Sequence, residues 1–401
     1  MKDAWSESEL RPEPRSWTKT VAIAVALLLV AGAGASLVLS RGSDDGGVTE
    51  FGGGDRGSQG SEDAQVSASE ITDVLPPDSI PSIDEPKFIL PGEATFLADK
   101  EPVIRVTVNG DTRAYPLQIM TWHEIVNDEI GGEPVAVTFC PLCNTAIAFE
   151  RPEIDGKVVT FGTSGKLLHS NLLMYDRATE SLWAQATGVA VQGPKSGEEL
   201  QQIQAQIVSW DEFRSNFPEG KVLSRDTGHS RNYGENPYPG YDDVDSQPFL
   251  FSGETDGRLA AVERVLGVRV EGAVVAYPYF RLEENSKENA TAVNDKVGGE
   301  PVVVMWKRGT TSALDKTDIS GSKDVGAAVA FSRSLEGKVL EFEVEDGIIR
   351  DKDTGSSWNI FGKATGGLLK GEELGSVNIL DSFWFDWAAF HPDTKIWQGD
   401  S

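Results

Sequence analysis

The sequence predicts a mainly β (α+β) protein. It would be a tandem duplication of a β-rich unit with one or two short helices per copy, set after an N-terminal membrane helix. Three observations predict this. Short β-branched and aromatic runs with period-two alternation recur along most of the chain, punctuated by Gly-Gly, Asp-Gly and Glu-Gly. A series of blocks occurs twice in the same order. One uncharged apolar run stands near the N-terminus.

That run, Val21 to Leu39, holds 19 residues without a charge. At helical rise it covers about 28 Å, enough for a bilayer core. Lys2, Arg11, Arg15 and Lys19 precede it, whereas only Arg41 follows before Asp44 and Asp45. This bias places residues 1–20 in the cytoplasm, 21–39 in the membrane as a signal-anchor, and everything later outside the cytoplasm. Ala31 to Ser36 offers an A-x-A cleavage pattern, which would give a secreted protein. Leu37, Val38 and Leu39 carry the apolar run past that cut, so an uncleaved anchor is the expectation. Residues 42–80 follow as a flexible acidic Gly/Ser linker with a reach of roughly 30 Å.

The 401 residues carry 36 Lys and Arg against 63 Asp and Glu, a net charge of −27. Beyond residue 41 the balance is 31 against 59, so the acidity belongs to the outer part. Nucleic acid and anionic lipid surfaces are excluded as partners on this ground, because each phosphate contact would be made against that field.

The repeat is read from matched blocks. Val126 to Val135 (VNDEIGGEPV) recurs as Val293 to Val302 (VNDKVGGEPV), at a spacing of 167. Ala114-Tyr115-Pro116 recurs as Ala276-Tyr277-Pro278, and DRATESLW from Asp176 recurs as DKDTGSSW from Asp351. Gly197 to Leu200 matches Gly371 to Leu374, and Trp210 matches Trp384. The copies span roughly 95–225 and 258–397. With the Tyr/Pro-rich connection through Tyr233, Tyr238 and Tyr241, the first repeat occupies 90–250 and the second, degenerate repeat 258–397. Strands are predicted at VIRVTV, PVAVTFC, TAIAFE, KVVTFG and NLLMYD, then at GVRVEG, PVVVMW, AVAFS and KVLEFEVE. Helix is predicted at Pro116–Val126, at about Trp210–Phe217 and at their counterparts.

Duplication supplies an internal control. Residues shared by both copies, among them Tyr115, Asp128, Asp176, Ser181 and Trp183, are assigned to packing and capping. Chemistry is sought where the copies differ. In the VND register Cys140 and Cys143 fall opposite Lys307 and Thr310, and His123 falls opposite Ala290. The first copy carries six extra residues between Phe161 and Asp176, and the second about 15 after Trp306.

Cys140 and Cys143, in VTFCPLCNTA, are the only cysteines. As a thiol–disulfide couple, Cys140 attacks and Cys143 resolves, with His123 as base or orienting group. As a metal module for copper or zinc, the two thiolates need further ligands, and His123, His169 and Met174 are the candidates. As a structural disulfide in an interaction domain, so short a loop is worth only about 2 kcal/mol. Haem attachment is disfavoured because Asn144 follows Cys143. The expected partner of a redox couple is a protein or small molecule able to exchange disulfides.

TWHEIVND, GGEPVAVTFCPLCNTA, FGTSGKL, NLLMYDRATESLW and NYGENPYPGY together resemble a family of membrane-anchored or secreted prokaryotic proteins, domain of unknown function 3179. The resemblance covers nearly all of 90–250 and implies no particular activity. His123 lies inside a matching block. The family pattern has no His at the position of His169.

Overall fold

The computed structural model describes residues 66, 67 and 69–399. The expected membrane segment and most of the linker lie outside the described residues. Among the described residues no helix is long and apolar enough to cross a membrane.

The first hairpin, β1 (Pro102–Val108) and β2 (Asp111–Pro116), closes through Asn109-Gly110 with φ of 48° and 81°. Positive φ at both positions is the hairpin turn that matches strand twist. A short helix, α1 (Leu117–His123), leads into a meander of β3 (Ile125–Ile130), β4 (Glu133–Cys140) and β5 (Thr145–Glu150). Gly131-Gly132 joins β3 to β4 with φ of 58° and 87°, and a Cβ on Gly131 would meet the Val108 carbonyl oxygen at 2.3 Å. Glycine alone meets both demands.

A third sheet follows from β6 (Phe161–Leu168), β7 (Asn171–Asp176), β8 (Leu182–Ala184) and β9 (Ala190–Gln192). Ile71–Asp73 pairs with Lys166–Leu168 along its edge. The end of the segment expected to be a flexible linker is therefore a strand. Then β10 (Ala205–Ser209) returns beside β1, α2 (Trp210–Asn216) follows, and β11 (Lys221–Leu223) lies parallel to β2.

Beyond a long connection the chain forms β12 (Arg264–Val270), β13 (Ala273–Pro278) and α3 (Tyr279–Glu284). The meander β14 (Ala290–Val297), β15 (Glu300–Lys307) and β16 (Ala327–Ser332) comes next. A sheet of β17 (Phe342–Glu345), β18 (Ile348–Asp351), β19 (Ser357–Trp358) and β20 (Ala364–Gly366) follows. The chain ends with β21 (Asn378–Phe383) beside β12, α4 (Trp384–Phe390), and β22 (Lys395–Ile396) parallel to β13. Strand makes up 43% and helix 10% of the described residues, a mainly β protein as the alternation predicts.

Local departures from expectation have local causes. Helix is expected to run on to Val126 but stops at His123, because Glu124 turns into positive φ and Ile125 enters the sheet. KVVTFG and KVLEFEVE each divide, their first two residues forming a small separate hairpin arm before β6 and β17. The six extra residues lengthen the β6–β7 hairpin, which turns at His169 and Ser170.

The two halves share their interior. One hydrophobic cluster packs Ile104, Val137 and Phe149 against Phe383, Trp384 and Trp387, so α4 inserts among residues of the first sheets. The other packs Val304, Phe331 and Trp358 against Trp210 and Phe213 of α2. Each core is thus completed by a helix from the other half.

The residues assigned to scaffold hold the sheets together. Tyr115 donates to Asp128 at 2.5 Å, and Arg113 Nη1 reaches both oxygens of that carboxylate. Tyr277 donates to Asp295 in the same way at 2.7 Å. Asp176 accepts from Thr179 and from Trp183 Nε1, as Asp351 does from Thr354 and Trp358 Nε1. Asp128→Ala removes the buried anion while Arg113 keeps Asp111. The expected loss is about 3 kcal/mol, the lower end for a broken buried pair. Denaturant unfolding measures it, and a loss below about 1 kcal/mol would show the cluster contributes no more than a surface pair.

Candidate functional site

The turn between β4 and β5 presents Cys140, Pro141, Leu142 and Cys143. Cys140 ends its strand opposite Thr145, the Cys143 amide donates to the Cys140 carbonyl at 3.2 Å, and Asn144 closes the turn at φ 55°. Asn tolerates that left-handed conformation. Both thiols are free and lie 3.5 Å apart. Cys140 is 2% exposed and Cys143 is fully buried.

Three other segments close over this turn. From the β6–β7 hairpin, the Ser170 carbonyl oxygen lies 3.9 Å from the Cys140 sulfur. From the connection, Tyr241 Oη donates to the Leu142 carbonyl at 2.9 Å, and the Phe249 amide donates to Tyr241 Oη at 3.2 Å. From the second half, the Phe383 amide donates to the Cys143 carbonyl at 2.8 Å, and α4 brings Asp386 to face the Cys143 thiol. The residues added after Trp306 fasten the connection: Tyr241 N donates to the Leu314 carbonyl at 3.1 Å, and Asn236 N to the Thr317 carbonyl at 2.7 Å.

Asp386 is fully buried, with Ser382 Oγ at 2.8 Å and Asn171 Nδ2 at 3.0 Å but no cation. Burial pushes its carboxyl up to about 6, against which these hydrogen bonds pull. Gln185 joins the same polar set, accepting from Thr145 Oγ1 at 2.7 Å and donating to Thr138 Oγ1 at 3.0 Å. Burial, with Cys140 and Asp386 as neighbours, holds the Cys143 thiol well above the usual range, so it is protonated in the resting protein.

The histidines stand elsewhere. His123 has Nδ1 2.7 Å from the Pro81 carbonyl, which can only accept, and Nε2 2.6 Å from Tyr233 Oη. The first contact fixes the proton on Nδ1. Burial lowers this imidazole to about 4, which leaves it neutral. With both nitrogens engaged, His123 is not placed as a base or ligand for the thiols. His169 is half-buried against Phe251 and Phe390, and it is the carbonyl of its neighbour Ser170 that approaches Cys140. Among the described residues no three His, Cys, Asp or Glu side chains converge as a metal ion requires, so the set Cys140, Cys143, His123 and His169 is not assembled.

Two acidic residues escaped the sequence. Asp386 was hidden by the copy comparison itself, because α2 carries Glu212 at the same third position and acidity looks shared. Glu212 pairs with Lys307, the residue opposite Cys140 in the repeat register. Glu124 was within reach, since the register that sets His123 against Ala290 sets Glu124 against Thr291.

Searches of curated proteins and of solved structures found no match. A family profile matches residues 77–394, well over half of the chain. The chain belongs to the family described as Protein of unknown function (DUF3179).

Proposed function

We propose that this chain is a thiol–disulfide oxidoreductase, tethered to the membrane outside the cytoplasm, with Cys140 attacking and Cys143 resolving. The observation that carries the reading is a pair of free sulfurs 3.5 Å apart with a buried carboxyl facing one of them. A disulfide needs an S–S distance of about 2.05 Å, so closure asks for a small movement within a turn. Cys143 is the more deeply buried and the one facing a proton acceptor, which suits the resolving role.

The step balances as follows. The Cys140 thiolate attacks a partner disulfide R–S–S–R′, a Cys140–S–R bond forms, and R′–S⁻ leaves and takes up a proton. Cys143 gives its proton to Asp386 and attacks the Cys140 sulfur. The intramolecular disulfide forms, and R–S⁻ leaves with the proton held by Asp386. The partner is reduced by two electrons and the pair oxidised by two. Both sulfurs are shielded by the Tyr241 connection, so exchange with a partner requires that connection to lift.

We also propose that the two halves are a tandem duplication. Support comes from their common element order, from the parallel third-position acids of α2 and α4, and from the matching Tyr–Asp and Asp–Trp bonds. The tether rests on the uncharged run at 21–39 and the basic residues before it.

Full-length protein purified without oxygen tests the redox reading. Two titratable thiols are expected per chain, both lost reversibly in a glutathione redox series as one intramolecular disulfide. One bound copper or zinc per chain that disappears in Cys140→Ser would sink the reading.

A further inference from the structure

Residues 224–263, between β11 and β12, form no helix or strand beyond an isolated bridge from Glu235 to Asp318. Stretches of that length without regular structure are uncommon in a packed protein, and most serve as lids, binding loops or linkers. This one is no linker, because Asn236, Tyr238, Tyr241 and Asp242 in its middle are all buried.

The middle is held from two sides, and unequally. Toward the thiols it reaches with the Tyr241 hydroxyl, on the Leu142 carbonyl, while Ser170 Oγ donates to the Phe249 carbonyl at 2.6 Å. On the other side a seam joins it to residues 312–323. Besides the Asn236 and Tyr241 amides, the Gly240 amide donates to the Asp315 carbonyl, and Asn236 Nδ2 donates to the Lys316 carbonyl at 3.2 Å. The seam ends on a clasp. One oxygen of the Asp242 carboxylate accepts from Arg264 Nη2 at 2.9 Å and from Ser312 Oγ at 2.5 Å, and Lys323 Nζ lies 3.2 Å from the other. Lys323 Nζ also donates to the Asp242 carbonyl at 2.9 Å.

The clasp is charged, buried and specific to this chain's second half. Burial pushes the Asp242 carboxyl up, but Arg264 and Lys323 outweigh it and hold it below the usual range, so it is an anion at neutral pH. Ser312 and Lys323 belong to the stretch after Trp306 where the second half carries about 15 residues more than the first. Arg264 also lies over the Phe383 ring, 5.3 Å from its centroid, and the Phe383 amide holds the Cys143 carbonyl. Pro237 and Pro239 stiffen the piece that the clasp secures. Beyond Asp242, residues 243–261 are all exposed or half-buried, so no fully buried residue holds the chain again until Val262.

We propose that residues 236–249 are a lid over Cys140 and Cys143, and that the Asp242 carboxylate, clasped by Arg264, Ser312 and Lys323, is its latch. Breaking the clasp frees the lid and opens both thiols while the two cores stay folded. The use of this gate in exchange rests on the thiol–disulfide reading, whereas the gate itself is tested without it.

Alkylation by iodoacetamide, followed by intact mass on the reduced full-length protein, reads the opening. The wild type is expected to react slowly, at a rate that low denaturant leaves unchanged, because a local opening exposes little surface. Asp242→Asn is expected to speed alkylation about 10²-fold, the scale of a broken buried pair. Asp128→Ala breaks a buried pair away from the lid and is expected to change the rate far less. Equal acceleration in the two variants, or none in Asp242→Asn, overturns the latch. Wild-type protein alkylated as fast as an open thiol overturns the lid. Far-ultraviolet circular dichroism checks the fold, and if Asp242→Asn does not fold, Ser312→Ala is expected to speed alkylation about 10-fold, with an unchanged rate counting against the proposal. Gated thiols that form no intramolecular disulfide in a glutathione series would overturn the redox reading and leave the lid standing.

Discussion

Cys143→Ser is expected to stop turnover with a disulfide partner while leaving Cys140 able to form the first mixed disulfide, which then accumulates. The reason is the division of labour at the β4–β5 turn. Cys140 ends a strand next to the Ser170 carbonyl, whereas Cys143 is enclosed and faces Asp386. Without the second sulfur the Cys140–S–R bond has no internal attacker 3.5 Å away. Asp386→Asn is the companion variant. Asparagine can keep contacts to Ser382 and Asn171 but accepts no proton, so the resolving step is expected to slow by about 10²–10⁴-fold at pH 7 with the fold intact. Intact-mass measurement of the trapped species, together with release of the partner thiol, reads both. A Cys143→Ser protein that turns over at the wild-type rate, with no trapped adduct, would show that Cys143 is not the resolving thiol.

The sequence made some of this legible and concealed the rest for physical reasons. Strand alternation and paired glycines revealed the meanders, because period two and positive φ are local properties of Gly131-Gly132 and Gly298-Gly299. The internal comparison sorted Tyr115, Asp128, Asp176 and Trp183 correctly as scaffold, since hydrogen bonds of this kind recur in each half. It drew attention to Cys140 and Cys143 because nothing matches them. What it could not reveal was which segments meet. Asp386 is 243 positions beyond Cys143 in the chain, and only the insertion of α4 into the first core puts it beside that thiol. His123 drew notice by its residue type, yet its ring is consumed by Pro81 and Tyr233. Glu124 occupied the same matching block and went unremarked, because burial of a single acid is a property of the folded chain.

Stability is expected to fall by about 1–2 kcal/mol between pH 6.5 and pH 8, the reverse of what paired surface carboxylates would produce. Burial pushes Glu124 up to about 8 and Asp381 up to about 7. In the unfolded chain both are ionised well below pH 6.5, so the folded state binds more protons across this window. Stability carried by a group with a raised folded value is complete below its unfolded value and is lost as pH rises through the folded one. Each such proton costs about 1.4 kcal/mol per pH unit, and Glu124 titrates over the whole window while Asp381 titrates over its lower part. Asp386, up to about 6, has already lost its contribution by pH 6.5. His123 and His391, held down to about 4, act in the opposite sense, and because each is half protonated in the unfolded chain at pH 6.5 they offset about 0.8 kcal/mol of the fall. Asp111, lowered to about 2, is ionised in both states throughout. Denaturant unfolding at the two pH values reads the difference, and Glu124→Gln is expected to remove most of it. A flat or rising profile in the wild type would mean that the Glu124 carboxyl is held as an anion in the folded protein.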